Sequence, residues 1–87
     1  MTKSIWKFKV DRTEVVLLPE GAKVLSVGVQ GNDLVLWALV NPKAKSVEAL
    51  NLKVIPTGDM IPDGEVLDFI GTVHFPGPLV FHVFRRV

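Results

Sequence analysis

The chain contains no cysteine and no tyrosine. The lack of cysteine excludes disulfide bonds, thiol catalysis and cysteine-ligated zinc. No serine lies in a Gly-x-Ser-x-Gly elbow, and no phosphate-binding glycine loop with a following Lys-Ser or Lys-Thr is present. The supply of nucleophiles is therefore poor. We predict that the chain is not an enzyme and that it uses no cofactor.

The chain also lacks a strong charge of either sign and a long apolar run. Ten basic and nine acidic residues give a net charge of +1, whereas a dedicated nucleic-acid binder is far more basic. The longest apolar run covers residues 34–40, well short of the ~20 residues that a spanning helix needs. The first residues form no apolar signal segment. These features predict neither a nucleic-acid nor a membrane partner. The lack of cysteine fits a reducing cytoplasm.

What the sequence does have is apolar residues spaced with a period of two. Hydrophobic residues make up 48% of the chain, and they alternate with polar residues over several short segments separated by Gly, Pro and Asn turns. No segment has the spacing of an amphipathic helix. We predict one all-β domain over residues 1–87, an antiparallel sandwich or small barrel of about six to seven strands.

The alternation also predicts which side chains face the core. Near the start, Trp6 and Phe8 lie on one face and Lys7 and Lys9 on the other. In residues 22–30, the predicted inward side chains are Leu25, Val27 and Val29. Gly28 within that strand indicates a bulge or a close neighbour. Residues 34–40 are apolar on both faces, which places them centrally, with Trp37 as a core or interface anchor.

Several segments, in their order and spacing, resemble a known family. They are Leu18-Pro19-Glu20-Gly21-Ala22, Leu36-Trp37-Ala38-Leu39-Val40-Asn41-Pro42, Thr57-Gly58, Phe69-Ile70-Gly71-Thr72 and Leu79-Val80-Phe81-His82-Val83-Phe84. Together they resemble a family of small uncharacterised proteins encoded by tailed bacteriophages and prophages. The resemblance implies a phage product in the cytoplasm of a bacterial host, and it implies no activity.

The best candidate for a binding site is the irregular segment over residues 56–64. Functional residues concentrate in loops held by a rigid scaffold, and methionine adapts to varied partner surfaces. The predicted partner-binding residues are Thr57, Gly58, Asp59, Met60, Ile61 and Asp63. In the alternative interpretation, Met60 and Ile61 fold back and cap one end of the thin core.

Two weaker constellations suggest metal binding. His74 and His82 flank a tight turn, and pairing of Phe75 with Leu79 would place them diagonally on one face. Zinc would need a further ligand such as Asp68. The acids Asp59, Asp63, Glu65 and Asp68 cluster without the Asp-x-Asp-x-Asp-Gly spacing of a calcium loop. We predict that the two histidines are ordinary strand residues, that the four acids belong to a solvated turn, and that neither group binds a metal.

These observations lead to a functional hypothesis with alternatives. We predict a phage accessory protein that acts by protein–protein contact, as a homo-oligomer or on a host or phage protein, with host-directed inhibition as one form. One alternative is a minor virion or assembly component. The other is a small β-barrel that binds a ligand or nucleic acid, by stacking bases on aromatic residues beside basic ones.

Overall fold

The fold consists of β-strands alone, as the period-two pattern predicts. The structure is a computed structural model that describes residues 2–87, and it contains no helix in that range. Accordingly, residues 2–87 include no helix long and apolar enough to cross a membrane. The strands are β1 (Ser4–Lys9), β2 (Val15–Pro19), β3 (Lys23–Gln30), β4 (Asp33–Val40), β5 (Val47–Pro56), β6 (Leu67–His74) and β7 (Val80–Arg86).

The seven strands form two sheets. The first has the order β1-β4-β3 and the second has the order β2-β5-β7-β6. Every pairing within them is antiparallel. The sheets stack on each other and do not join into one closed ring, so the architecture is sandwich-like. This result decides between the two architectures that the sequence left open.

The core lies between the two sheets. The inner face of β4 contributes Leu36, Ala38 and Val40, and the second sheet contributes Leu52 and Val83, all with at most 1% of their surface exposed. Each large apolar side chain buried in this way contributes roughly 1.5–3 kcal/mol of hydrophobic stabilisation. Because these residues recur at every second position, the spacing that predicted strands also builds the core.

The predicted faces of β1 are confirmed, whereas one prediction for β3 is wrong. Phe8 faces the core and Lys7 and Lys9 face solvent. In β3 the register shifts between Val24 and Ser26, and the extra residue of this bulge reverses the alternation. Leu25 is therefore 43% exposed, not inward. Val27 and Val29 do pack against the core, as predicted.

Trp37 lies on the outer face of the three-stranded sheet, not between the sheets. It pairs directly with Lys7, whose side chain is also on that face. Its ring lies against Gly28, where a Cβ atom would come within 2.9 Å of the indole. Gly28 thus marks a close neighbour, and the bulge lies elsewhere in β3. Buried Val35, on the same outer face, confirms that β4 is covered on both sides.

Candidate functional site

The connection between β5 and β6 crosses the outer face of the four-stranded sheet. The last residue of β5, Pro56, pairs with Phe81 at the start of β7. The first residue of β6, Leu67, pairs with Arg86 at the end of β7. The intervening chain must therefore run the length of β7 to reach its next strand. We call residues 57–66 the strap.

The beginning of the strap is fixed to the sheet by hydrogen bonds around one histidine. The Thr57 amide donates to the Val80 carbonyl at 3.1 Å. The Thr57 hydroxyl lies 2.7 Å from Nε2 of His82, and the Thr72 hydroxyl lies 2.9 Å from Nδ1 of the same ring. Both ring nitrogens of His82 therefore have hydroxyl partners, which orient the imidazole and hold Thr57 to β7.

The end of the strap is fixed by an ion-pair network. Nη1 of Arg86 donates to Oε1 of Glu65 at 3.0 Å, and Nζ of Lys53 lies 3.5 Å from the same oxygen. Only 19% of the Glu65 side chain is exposed. The Arg86 side chain also donates through Nε to the Leu52 carbonyl at 3.2 Å. A shared, partly buried carboxylate orders the strap more than an isolated surface pair would.

Ile55 shows how closely the beginning of the strap covers the sheet. It pairs with His82 on the outer face of the four-stranded sheet, where solvent would be expected. Nevertheless, only 5% of Ile55 is exposed. We attribute its burial to the connection that begins at Thr57 and crosses this face. The beginning of the strap therefore packs against the four-stranded sheet.

The middle of the strap projects its apolar side chains into solvent. Met60 is 89% exposed and Ile61 is 44% exposed, so the alternative in which they cap the core is wrong. Asp59 and Asp63 are also exposed. Gly58 adopts a φ of 97°, which suits glycine and closes the turn in which the Asp59 amide bonds to the Pro56 carbonyl. The predicted site residues therefore share one exposed segment.

A second apolar surface lies on the outer face of the four-stranded sheet, which the strap also crosses, and it was not predicted from the sequence. Val15 and Leu17 of β2 point outward on the same face as Val47 and Ala49 of β5. All four are exposed, Leu17 by 61% and Val47 by 63%. The sequence does contain an indication of this surface. Residues 15–18 are apolar at every position, whereas a strand with one solvated face would alternate apolar and polar residues. We call Val15, Leu17, Val47 and Ala49 the β2–β5 patch.

The suggested metal ligands do not come together. The Phe75 amide bonds to the Leu79 carbonyl, so His74 and His82 do lie diagonally on one face. Asp68 pairs with Arg85, which puts it on the opposite face of the sheet, where it is exposed. Across residues 2–87, no three side chains of the His, Asp or Glu type are placed to share a metal ion.

Comparison with known proteins gives a family and no activity. No curated protein and no solved structure matches the chain. Residues 1–87 match the family described as Domain of unknown function (DUF7352). Since the match covers the whole chain, the protein belongs to this family of unknown function, DUF7352.

Proposed function

We propose that this protein acts without catalysis, by contact of the strap with another protein. The observation that carries the proposal is the exposure of Met60 and Ile61 on a segment that is fixed at both ends. A segment ordered before binding loses less conformational entropy when it binds. Exposed apolar side chains on such a segment gain from burial against a partner. Methionine also adapts its shape to the surface it meets.

The proposed setting is the cytoplasm of a bacterial host. The resemblance to small proteins of tailed phages and prophages supports this setting, in which the partner is a host or phage protein. Inhibition of a host protein is one form of the proposal. The acidic residues Asp59 and Asp63 flank the apolar pair, so a partner surface with an apolar depression and a basic rim fits the strap.

Self-association is a second part of the proposal. Val15, Leu17, Val47 and Ala49 form the exposed β2–β5 patch without a charged side chain among them. Contiguous apolar patches on monomers are often interaction sites. A two-fold contact of this patch with its own copy would bury it. Light scattering tests this part: wild type is expected to form a dimer or larger assembly and Leu17→Glu a monomer. A wild-type monomer at high concentration would reject it.

Capture from infected cells tests the strap directly. Immobilised wild type, Met60→Asp/Ile61→Asp and Val87→Asp are compared. Val87→Asp is the matched control because Val87 is an exposed apolar residue outside the strap. A protein retained by wild type and the control, and lost with the double variant, is then purified. We expect the double substitution to weaken its affinity at least about tenfold.

The outcome is interpretable because Met60 and Ile61 are exposed, so their replacement should leave the thermal midpoint unchanged. A purified partner that binds wild type and the double variant equally would overturn the proposal.

A further inference from the structure

The two sheets have four edge strands, and two of them protect each other. Strands β3 and β6 are edges of different sheets that lie side by side. A Cβ atom on Gly71 of β6 would come within 3.0 Å of Cγ2 of Val27 in β3. The two edges therefore cover each other around Gly71 and Val27. The edges of β1 and β2 lie on the side that is open.

The edge of β2 is blocked by its own sequence. The Leu52 amide bonds to the Glu14 carbonyl and the Glu20 amide to the Ser46 carbonyl, which fixes the phase of the pairing with β5. The backbone groups of Val15, Leu17 and Pro19 therefore point away from β5. The amide of Val15 donates to the Thr13 hydroxyl, and the same hydroxyl donates to the Val15 carbonyl. Pro19 has no amide hydrogen. Only Leu17 has both groups free.

The edge of β1 carries no such block. The Val10 amide bonds to the Leu34 carbonyl at 2.9 Å, so the backbone groups of the even-numbered residues of β1 form the hydrogen bonds to β4. The amides and carbonyls of Ile5, Lys7 and Lys9 point away from it. Among the residues that the structure describes, none of these six groups has a backbone partner. Free groups at such alternate positions are the ones to which an added strand hydrogen-bonds.

The side chains beside this edge differ on its two faces. Lys7 and Lys9 lie on the outer face, where Lys7 bonds to Gln30 and Lys9 pairs with Asp33. Both contacts are exposed and exchange readily with other partners. On the inner face Trp6 is 41% exposed at the open side of the sandwich. An added strand therefore meets positive charge on one face and an aromatic side chain on the other.

Charge argues against a second copy of the chain as the added strand. An antiparallel pair of β1 strands centred on Lys7 would place that residue directly opposite its own copy. Like charges directly opposite each other destabilise a sheet, and edge lysines prevent pairing of identical edges. The same lysines attract a strand of opposite charge.

We propose that β1 binds an extended segment of another protein whose acidic and apolar residues alternate. The acidic side chains lie beside Lys7 and Lys9, and the apolar side chains lie beside Trp6 and Phe8. The backbone of the segment bonds to Ile5, Lys7 and Lys9. This site belongs to the first sheet. It does not depend on the strap, and either proposal can fail alone.

The test uses capped, fluorescein-labelled peptides of four Glu-Val repeats. Fluorescence anisotropy is expected to show binding that weakens with sodium chloride, and the amide signals of Ile5, Lys7 and Lys9 are expected to shift in NMR spectra. The variant Lys7→Glu/Lys9→Glu is expected to lose binding of the Glu-Val peptide and to gain binding of a Lys-Val peptide. This exchange of preference distinguishes a charge effect from misfolding, because a misfolded variant would bind neither peptide.

Peptides with methylated amides test strand addition itself. An antiparallel added strand turns its glutamate amides towards β1, and a parallel strand turns its valine amides. One methylated series is therefore expected to lose binding and the other to keep it. Equal binding by both series would overturn the proposal. Binding of an oligothymidine at Lys7 and Lys9, with none of the acidic peptide, would also overturn it and indicate a nucleic-acid surface.

Discussion

The indole of Trp37 lies so close to Gly28 that a Cβ atom at position 28 would stand 2.9 Å from Cζ3 and 3.2 Å from Cη2. The two residues lie on neighbouring strands of the three-stranded sheet, on its outer face. Gly28→Ala must therefore displace the ring. We expect a loss of about 1–3 kcal/mol in the free energy of unfolding and a red shift of the tryptophan fluorescence.

Urea denaturation in a Trp6→Phe background measures this effect, since Trp37 is then the only fluorescent indole. Ser26→Ala is the control, because Ser26 is an exposed residue that pairs with Trp37 and its change to alanine adds no atom, and we expect a change within about 0.5 kcal/mol. Unchanged stability and fluorescence of Gly28→Ala would show that the ring does not depend on this glycine.

The turn before β2 gives a prediction for pH. A hydrogen bond from the Thr13 hydroxyl, and a weaker effect of the Thr13 amide, hold the pKa of the Asp11 carboxyl below its ordinary 3.8. Because the pKa is lowered in the folded state, this stabilisation is present above pH 3.8 and is lost as pH falls through the folded-state pKa. Thr13→Ala should raise the pKa of Asp11, as measured by NMR titration of its carboxyl carbon.

Asp11→Asn serves as the control because asparagine keeps an acceptor that does not titrate in this range. A carboxyl that titrates at the same pH in wild type and Thr13→Ala would contradict the hydrogen bond.

Glu14 combines backbone strain with a side-chain hydrogen bond. Its φ is 58°, in the left-handed region, and its Oε1 accepts from the Val54 amide at 3.1 Å. Glu14→Ala loses the bond and keeps the strain, whereas Glu14→Gly loses the bond and relieves the strain. We expect the alanine variant to be less stable than the glycine variant by about 1 kcal/mol, measured by chemical denaturation. The reverse order would show that residue 14 is not held at positive φ.

The shared carboxylate of Glu65 predicts a local effect on the strap. Glu65→Gln removes the charge that Lys53 and Arg86 share. We expect amide hydrogen exchange to accelerate in residues 58–66 and the free energy of unfolding to fall by about 1 kcal/mol. Asp33→Asn is the matched control, since its exposed pair with Lys9 should contribute nothing measurable. Equal exchange in wild type and Glu65→Gln would show that this network does not hold the strap.

The alternation of side chains predicted the strands because it reflects a local geometry. Phe8, Val27 and Val29 face the core at the positions the pattern assigned. The prediction for Leu25 failed because a bulge shifts the alternation of inward and outward side chains within a strand. No residue in β3 predicts that bulge. The order of the strands lay beyond the sequence, because it depends on contacts between distant segments. The free edge of β1 and the β2–β5 patch therefore became visible only in the structure.

The candidate site was predictable in part. Its two prolines and two glycines marked residues 56–64 as irregular, and the structure shows that Met60 is exposed there. Its attachment could not be predicted, since Thr57 and Glu65 contact His82 and Arg86, which lie more than twenty positions away. A connection that crosses a neighbouring strand arises from the sheet order.

Site-specific photo-crosslinking tests contact through the strap most directly. A benzoylphenylalanine is placed at position 60 and, as a control, at position 87, and the labelled proteins are irradiated in infected cells. We expect a defined adduct from position 60, absent from position 87 and suppressed by an excess of wild-type protein but not of Met60→Asp/Ile61→Asp. The same adducts in the same yield from both positions, or no adduct from position 60, would contradict contact through the strap.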